Sequence, residues 1–299
     1  MVGLIDFDSI LYKSVYRVVS YSQIKTALIK YGKEDAKLWL NQTVLEESIN
    51  RTENIMLEIQ EYLQSIFDKE ITCWETYITT CSKNFRKKIS KDYKKNRKKN
   101  NYVWMIRNYY MNNGSFYSNT LEADDLIADR VEELGRENCV IISIDKDMKT
   151  VGGYYWSYMK GKLKDENGKY LVVNPETGEI IDLSQDNYKL VRDENKNYNV
   201  YCSEEIVAEN VVFQKGYLHN KVQFITKEEA ELNFYSQMLI GDTSDNIKGI
   251  EGIGMVRAKR LLESSKNLFI STAREYIKRG LKKQFITNRE LLKIGTHGR

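Results

Sequence analysis

The positions of hydrophobic and polar residues predict alternating strands and helices in the first half of the chain. Three segments rich in apolar and β-branched residues predict buried strands: 2–7, 71–78 and 139–144. Two segments repeat apolar residues at helical spacing and predict amphipathic helices: 44–67 and 121–136. Strands that alternate with helices through short loops are typical of a parallel sheet. We therefore predict an α/β fold with a central, mostly parallel sheet and helices on both faces.

The second half of the chain predicts a different arrangement. Residues 154–224 contain short polar strands and turn signals, which predict a β-rich excursion from the sheet. Helices resume at 227–240 and 255–263, and the glycine-rich segment 241–254 joins them. Two helices joined by a glycine turn can present backbone N–H groups to a phosphate, because glycine permits close approach and positive φ angles.

Composition limits the class of protein. With 299 residues, of which 41% are hydrophobic, the chain can bury a substantial core. No apolar run approaches the roughly 18 residues that span a bilayer, and the N-terminal segment lacks the basic-then-apolar layout of a signal peptide. We therefore expect a soluble, cytoplasmic protein without a membrane partner.

Cysteine and histidine are scarce. The four cysteines show no CxxC spacing, and the two histidines are His219 and His297, so a zinc site has few candidate ligands. Dispersed cysteines in a chain of this size usually fill cores, so we expect reduced thiols. A bound metal should instead have oxygen ligands.

The net charge of +4 is concentrated in one segment. Between Lys83 and Lys99, ten of seventeen residues are Lys or Arg, and only Asp92 is acidic. A mildly acidic body with one strongly basic segment indicates that a polyanion is bound there. A solvated or disordered charge run is the alternative.

Acidic residues occur at predicted strand ends, at a helix start and in a turn. The carboxyl ends of parallel strands meet at one edge of a sheet, where ligands bind in folds of this class. If the first strand continues to Asp8, its two-residue period places Asp6 and Asp8 on one side. Crowded carboxylates are costly without a cation, and without His or Cys they select Mg²⁺ or Mn²⁺. For any single acid, a capping or turn role is the alternative. The acids concerned are Asp6, Glu122, Asp124, Asp125, Asp145, Asp147, Asp242 and Asp245.

Three motifs stand out along the chain: residues 121–128 (LEADDLIA), 143–147 (SIDKD) and 241–254 (GDTSDNIKGIEGIG). They resemble, in the same order, signatures of the 5′-nucleases, a family that includes bacteriophage 5′–3′ exonucleases, the 5′-nuclease domain of bacterial DNA polymerase I and eukaryotic flap endonucleases. The resemblance implies a PIN-like nuclease core at 1–153, with a basic helical arch at about 81–118. The excursion at 154–224 and a region at 225–299 with a helix–three-turn–helix element and C-terminal helices would follow.

A fourth match lies in the basic segment. Phe85-Arg86 followed by Tyr93-Lys94-Lys95-Asn96-Arg97 is similar to the family's F-R…Y-K-x-x-R pattern. The resemblance implies that Lys94 and Arg97 act on the scissile phosphate, and the two would share a face if the segment is helical. It also implies that Arg86 contacts the 5′ strand.

The resemblance further implies which residues bind cofactors and DNA. Two Mg²⁺ or Mn²⁺ ions would promote hydrolysis of the phosphodiester. The implied metal ligands are Asp6, Glu122 and Asp124 for one ion and Asp147, Asp242 and Asp245 for the other, with the catalytic Asp145 between them and Asp125 supporting a ligand or a water. The turn formed by Gly252, Ile253 and Gly254 would hold the duplex backbone, in the family often through K⁺.

The expected activity is that of a monomeric, structure-specific 5′–3′ exonuclease or flap endonuclease in phage-type DNA replication. Its substrate would be DNA with a 5′ end or flap, and affinity should fall with salt. One departure from the family affects this expectation. The family usually has an Asp at the end of the second strand, where this chain reads Tyr77-Ile78-Thr79-Thr80-Cys81, so a ligand is missing or is replaced by Asp8 or water.

Three alternatives remain open from the sequence. The same site could act mainly as a ribonuclease H that removes RNA primers from RNA–DNA hybrids. The missing strand-two Asp also allows a structure-selective DNA-binding protein with weakened catalysis. A basic α/β domain with scattered acids is the third, although the ordered motifs argue against it.

Overall fold

The computed structural model describes residues 1–80, 83–97, 100–181, 183, 188–203 and 205–295. Parts of the predicted arch, excursion and C-terminal region lie outside the described residues, as do Cys81 and His297. The helices are α1 (Asp8–Ser14), α2 (Tyr21–Ile66), α3 (Phe85–Ile89), α4 (Asn101–Asn112), α5 (Ala123–Leu134), α6 (Lys227–Ile240), α7 (Met255–Glu263), α8 (Leu268–Ile277) and α9 (Lys282–Leu292).

The strands fall into one main sheet, a second antiparallel sheet and two short ribbons. They are β1 (Val2–Asp6), β2 (Cys73–Thr79), β3 (Phe116–Ser118), β4 (Cys139–Ile142), β5 (Gly153–Trp156), β6 (Lys160–Lys162), β7 (Val172–Val173), β8 (Ile180–Ile181), β9 (Tyr188–Arg192), β10 (Tyr198–Cys202), β11 (Glu205–Phe213), β12 (Lys215–Tyr217), β13 (Gln223–Ile225), β14 (Gly241–Asp242) and β15 (Ile247–Lys248).

The main sheet has the strand order β13-β5-β4-β1-β2-β3. The strands β5, β4, β1, β2 and β3 pair in parallel, and β13 is antiparallel to β5 at the edge. Leu4 and Ile5 in β1 and the run Val140–Ile142 in β4 are at most 1% exposed, as expected for strands covered on both faces. The predicted α/β fold with a mostly parallel sheet is confirmed.

Helices cover both faces of this sheet. On one face, Ile127 and Val131 of α5 pack against Leu4 and Ile141 in a buried cluster. On the other face, Trp156 at the end of β5 stacks on Tyr62 of α2, with ring centroids 5.8 Å apart. The alternation of side chains along the strands produces these two layers.

Helix α2 begins earlier than the predicted segment 44–67. Ser20 starts it with a capping box, in which the Ser20 side chain accepts from the Gln23 N–H and the Gln23 side chain accepts from the Ser20 N–H. The helix is interrupted at Gly32, where φ is +74°. Apolar residues in the first part, such as Ile29 and Leu38, are 78% and 67% exposed, so they do not form a buried stripe that periodicity could reveal.

The chain divides into two compact units, Ser157–Asn220 and the remainder of the chain. The smaller unit contains an antiparallel sheet of order β8-β7-β11-β10-β9 around the core residues Val172, Val200 and Val211. The strands β5 and β13, whose residues lie mostly within the predicted excursion 154–224, belong to the main sheet.

The last third of the described chain is helical, apart from the short β14–β15 ribbon. Met238 of α6, Ala258 and Leu262 of α7 and Tyr276 of α8 share one buried cluster. The helices predicted at 227–240 and 255–263 are confirmed as α6 and α7.

Two sequence expectations concern the environment of the protein. Within the described ranges, no helix combines the length and apolar character needed to cross a membrane. The three cysteines that the structure describes, Cys73, Cys139 and Cys202, are free thiols, as expected.

Candidate active site

A cleft of about 840 Å³ opens at the carboxyl ends of β1 and β2 and beside the loop after β4. Carboxylates from separated parts of the chain line it, namely Asp6, Asp8, Glu122, Asp124 and Asp145. Cationic side chains line it as well: Lys87, Lys94, Arg97 and Arg107. The sheet thus brings together five acids that lie up to 139 positions apart in the sequence.

Asp6 and Asp145 lie on either side of Ser143. The Ser143 hydroxyl donates to Asp6 Oδ2 at 2.8 Å and accepts from the Asp145 N–H at 3.0 Å. Burial, together with the charges of Asp8 and Asp145, raises the pKa of Asp6 to about 7 despite the Ser143 hydrogen bond. The negative charge at this strand end is therefore poorly compensated.

Asp147 extends this group of acids. Its N–H donates to Asp145 Oδ1 at 2.9 Å, which starts the 3₁₀ turn Lys146–Thr150. Burial, followed by the charges of Asp145 and Asp242, raises the pKa of Asp147 to about 7. Asp242 accepts from both the N–H and the hydroxyl of Ser244 at 2.8 Å. The charge of Asp145 thus raises the pKa of both Asp6 and Asp147, and the charge of Asp242 also raises the pKa of Asp147.

Glu122 is surrounded by donors instead. Its side chain is 2% exposed, and Lys94 Nζ donates to Oε1 at 2.6 Å. Arg86 and the Tyr93 hydroxyl donate to Oε2 at 3.1 and 2.7 Å. Burial alone would raise the pKa of Glu122, but Lys94 and Arg86 lower it below its ordinary value. Sequence reasoning assigned Tyr93 no role, although it lies beside Lys94 in the recognised motif.

Asp124 and Asp125 have opposite environments although they are adjacent. Burial and the charges of Glu122 and Asp125 raise the pKa of Asp124 well above its ordinary value, and Asp124 lines the cleft. Asp125 is 0% exposed and receives two hydrogen bonds from Arg86, at 2.6 and 2.8 Å. It also accepts from the Gly295 N–H at 3.0 Å. Asp124 therefore faces the site, whereas Asp125 holds the surrounding structure together.

Lys94 and Arg97 both reach Asp245. Arg97 donates to Asp245 Oδ1 at 2.6 Å, and Lys94 Nζ lies 3.5 Å from Oδ2. Burial lowers the pKa of Lys94, but the charges of Glu122, Asp124 and Asp245 outweigh it and raise the pKa above its ordinary value.

The backbone between α3 and α4 is not helical at these positions. Lys94 has φ of +52° within a run of turns, and its N–H donates to the Asp245 carbonyl at 3.1 Å. The shared helical face considered for Lys94 and Arg97 is therefore wrong. Their common partner Asp245 brings the two side chains together instead.

Arg86 differs most from its expected position. It is 1% exposed, so it lies in the interior rather than on a surface that DNA could reach. Besides its bonds to Glu122 and Asp125, it donates to the carbonyls of Leu291 and Lys293 at 2.8 Å. All five guanidinium donors have internal acceptors, and Arg86 ties α3 to the start of α5 and the end of α9.

Asp8 does not continue the first strand. Strand β1 ends at Asp6 and α1 begins at Asp8, so the two carboxylates are not related by a strand period. Asp8 Oδ2 accepts from the Thr79 N–H at 3.2 Å, at the end of β2. Asp8 Oδ1 accepts from Arg107 Nε of α4 at 3.0 Å. Arg107 is a cleft residue that no sequence motif indicated.

The glycine turn combines tight packing with open backbone. A Cβ on Gly249 would lie 2.1 Å from the Ile240 carbonyl carbon, so no side chain fits there. Gly252 has φ of +76°, and neither Gly252 nor Gly254 has a heavy atom within 4 Å of an added Cβ. Ile253 is 4% exposed and packs into the helical core. A DNA backbone could approach the two glycines, but the Ile253 side chain is not available to it.

The donor set suits a hard divalent cation by its chemistry. Asp6, Asp124 and Asp145 supply carboxylate oxygens to the cleft, and burial together with neighbouring carboxylates raises the pKa of Asp6 and Asp124. In the part of the chain that the structure describes, no three His, Cys, Asp or Glu side chains stand at metal-binding separations. Two of the expected metal ligands form ion pairs instead, Glu122 with Lys94 and Asp245 with Arg97.

Comparison with known proteins gives structural likenesses only. No protein-family model matches the chain, and no curated protein matches its sequence. The bacteriophage T5 D15 protein, co-crystallised with metal ions, is 13% identical with a TM-score of 0.46, over 97% of this chain and 88% of that chain. The T5 D15 flap endonuclease in a pseudo-enzyme–product complex with DNA and metal ions has a TM-score of 0.48 at the same identity and coverage. The T5 5′-exonuclease with zinc bound also has a TM-score of 0.48, at 13% identity over 97% of this chain and 88% of that chain. All three likenesses are to bacteriophage T5 structures, at 13% sequence identity.

Proposed function

We propose that this protein is a metal-dependent 5′-nuclease that hydrolyses DNA phosphodiester bonds as a structure-specific 5′–3′ exonuclease or flap endonuclease. The observation that supports the proposal most directly is the gathering of Asp6, Glu122, Asp124 and Asp145 around one cleft together with Lys94 and Arg97. The motifs at 121–128 and 143–147 supply Glu122, Asp124 and Asp145, and together with the motif at 241–254 they occur in the order of the 5′-nuclease family. A bound divalent cation would compensate the like charges of these acids.

The carboxylates would hold two Mg²⁺ or Mn²⁺ ions. Asp6, Glu122 and Asp124 would serve one ion, Asp147, Asp242 and Asp245 the other, and Asp145 would lie between them. When bound, such ions generate hydroxide from water and stabilise the leaving oxygen. Asp125 would act indirectly, since its carboxylate is committed to Arg86.

Lys94 and Arg97 would bind the scissile phosphate. In the structure both cations neutralise acids of the site, Lys94 on Glu122 and Arg97 on Asp245. A phosphate in the cleft offers them an alternative anion, to which lysine binds as a point charge and arginine as a planar fork. Their positions beside the carboxylates favour a role at the reacting group over simple attachment of DNA.

The substrate would be DNA with a 5′ end or flap beside a duplex. The backbone at Gly252 and Gly254 is open to a phosphate chain and contains no group that reads bases. Affinity should therefore depend on the shape of the DNA and fall steeply with salt. A K⁺ ion at this turn, a monomeric state and a role in phage-type replication belong to the same proposal.

The proposal is tested with flap, nicked-duplex and RNA–DNA hybrid substrates labelled at the 5′ or the 3′ end, in Mg²⁺ and in Mn²⁺. Label position reports the polarity of cleavage. The test variant is Asp145→Asn, because Asp145 is exposed and asparagine keeps its capping acceptor for the Asp147 N–H. The control is Asp68→Asn, an exposed acid outside the cleft lining. We expect cleavage that Asp145→Asn abolishes and Asp68→Asn preserves. Equal rates for the Asp145 variant and the parent would contradict the assignment.

One observation favours a second candidate, a structure-selective DNA-binding protein with weakened catalysis. Strand β2 ends in Thr79, and the nearby Asp8 is engaged by the Thr79 N–H and by Arg107, with an Arg107 Nη2–Asp8 Oδ1 distance of 2.8 Å. Asp8 can replace the missing ligand only if that ion pair opens. Flap binding without cleavage in either metal would favour this candidate.

A further inference from the structure

The smaller unit, Ser157–Asn220, has a surface on which cations lie over aromatic rings. Lys162 Nζ is 3.3 Å from the centre of the Phe213 ring, and Lys164 Nζ is 4.6 Å from that of Tyr170. Arg192 Cζ is 5.6 Å from the centre of the Tyr198 ring. We call the six residues the aromatic strip: Lys162, Lys164, Tyr170, Arg192, Tyr198 and Phe213.

The rings of the strip form a connected group. Tyr170 and Tyr198 both pack edge-to-face on Phe213, with centroids 5.3 and 4.9 Å apart. Tyr198 and Phe213 rest on the core of the unit, whereas Tyr170 is 42% exposed. The core therefore fixes two rings, and the third is accessible from solvent.

The charges of the strip are incompletely compensated. Within the described residues, neither Lys162 nor Lys164 has a carboxylate at salt-bridge distance. The whole unit is nevertheless acidic, with eleven Asp and Glu against eight Lys and Arg. Lys162 also lies opposite Lys215 in the β6–β12 ribbon, although like charges placed directly opposite are destabilising. A local excess of cations on an acidic unit indicates an anionic ligand.

The combination of rings and cations selects one kind of polyanion. Exposed aromatic faces stack on unpaired bases, and lysine and arginine bind the phosphates between them. Stacking one base raises affinity by about 5- to 150-fold, whereas an exposed cation–π contact contributes only about 2- to 5-fold. A base can therefore displace a cation from its ring, and the released cation can bind a phosphate.

We propose that the aromatic strip binds single-stranded DNA without sequence preference, with a base on Tyr170 and phosphates on Lys162, Lys164 and Arg192. The inference goes beyond the proposed function, because binding by the strip requires no cleavage. A duplex keeps its bases stacked inside and cannot use the rings, so the strip should discriminate against it.

The first test measures binding of a fluorescent oligothymidylate of about 12 nucleotides. Single-strand-binding domains of the OB-fold type cover about 4–16 nucleotides, so this length is sufficient for one binding surface. The full chain is used with EDTA present, and fluorescence anisotropy is recorded over a range of salt concentrations. Tyr170→Ala should weaken binding by at least about 5-fold with little change in salt dependence. Lys162→Gln with Lys164→Gln should lower the slope of log affinity against log salt by about 1.4, or about 0.7 for each lost phosphate contact.

The matched control removes two charges from the same unit outside the strip. Lys189→Gln with Lys196→Gln should leave both affinity and slope near those of the parent, since neither lysine lies over a ring of the strip. Equal losses in the two double variants would overturn the proposal, as would equally effective competition by a duplex of the same length.

The second test locates the contact, because the basic segment of the larger unit can also attract the oligonucleotide. An oligonucleotide containing 5-iododeoxyuridine crosslinks to aromatic side chains stacked on it, and mass spectrometry of the digest identifies them. We expect an adduct on Tyr170 that is reduced in the Lys162→Gln, Lys164→Gln variant. Adducts confined to residues outside 157–220 would overturn the proposal. Flap cleavage is measured separately, and we expect the Lys162→Gln, Lys164→Gln variant to leave its rate unchanged.

Discussion

Arg86 offers a direct test of the buried network beneath the candidate site. We consider Arg86→Met, which keeps much of the side-chain volume but removes the charge and all five donors. In the structure Arg86 is 1% exposed and its partners Asp125 and Glu122 are 0% and 2% exposed. The substitution removes both guanidinium bonds to the buried Asp125, which still accepts from the backbone N–H groups of Glu122 and Gly295. Removing one partner of a buried ion pair typically costs about 3–5 kcal/mol, and we expect a loss of that size.

The assay is urea unfolding followed by tryptophan fluorescence. All four tryptophans, Trp39, Trp74, Trp104 and Trp156, belong to the larger unit, so the signal reports the unit that contains Arg86. The control is Arg279→Met, whose ion pair with Glu275 is 31% and 14% exposed and should contribute no more than about 1 kcal/mol.

A double variant separates a buried pair from a general packing defect. Arg86→Met combined with Asp125→Leu removes both charges, and replacing a buried pair by apolar groups is often neutral. We expect the double variant to recover more than half of the stability lost in Arg86→Met. A loss below about 1 kcal/mol for Arg86→Met, or additive losses in the double variant, would refute the structural role and return Arg86 to consideration as a DNA contact.

Three further predictions concern catalysis, the glycine turn and charge. Lys94→Met should lower the single-turnover cleavage rate by about 100- to 1,000-fold. Lys95→Met should change it little, since Lys95 is 68% exposed and pairs only with Asp92 among the described residues. A near-parental rate for Lys94→Met would exclude its role at the phosphate. Gly249→Ala should cost more than about 4 kcal/mol because its Cβ would lie 2.1 Å from backbone, and urea unfolding measures the loss. Gly252→Ala, with open space and φ of +76°, should cost only about 1–2 kcal/mol, so equal losses would contradict the packing argument. The folded-state pKa of Asp6 is raised from 3.8 to about 7. Between these two values, the metal-free folded protein keeps a proton on Asp6 that the unfolded chain has lost. The free energy of unfolding therefore falls as the pH rises from 3.8 to about 7. In EDTA, Asp6→Asn should match the parent near pH 4 and exceed its stability by up to about 4 kcal/mol above pH 7, and a pH-independent difference would contradict the shift.

The parts of the fold that sequence predicted are those with a strong local signal. The apolar runs of β1 and β4 and the periodic helices α5, α6 and α7 are buried elements, so their patterns follow from their environment. The first part of α2 was not predicted, because exposed residues such as Ile29 and Leu38 give it no apolar stripe. Its capping signal, Ser20 with Gln23, was present in the sequence and could have located its start.

The sequence indicated four of the acids that line the cleft, Asp6, Glu122, Asp124 and Asp145, but not the hydrogen bonds and ion pairs that these side chains form. Motif order indicated which acids converge, since strand ends and a helix start are local features. The buried pairing of Arg86 with Asp125 could not be predicted from the sequence. The burial of Arg86 depends on acceptors far along the chain, such as the carbonyls of Leu291 and Lys293. The positive φ of Lys94 likewise depends on its long-range contact with the Asp245 carbonyl.

The distribution of charge divides the acids in and around the cleft into two groups. Glu122 and Asp245 hold Lys94 and Arg97, and Glu122 keeps a lowered pKa. For Asp6, Asp124 and Asp147, burial and then the charges of neighbouring carboxylates raise the pKa. On the proposed function, these cations are the groups that a substrate phosphate would attract, so its arrival would withdraw positive charge from Glu122 and Asp245. Both carboxylates would then regain affinity for a divalent ion, because the loss of one neutralising cation strengthens the field for another. Substrate binding would thus open two ion pairs, Lys94 with Glu122 and Arg97 with Asp245.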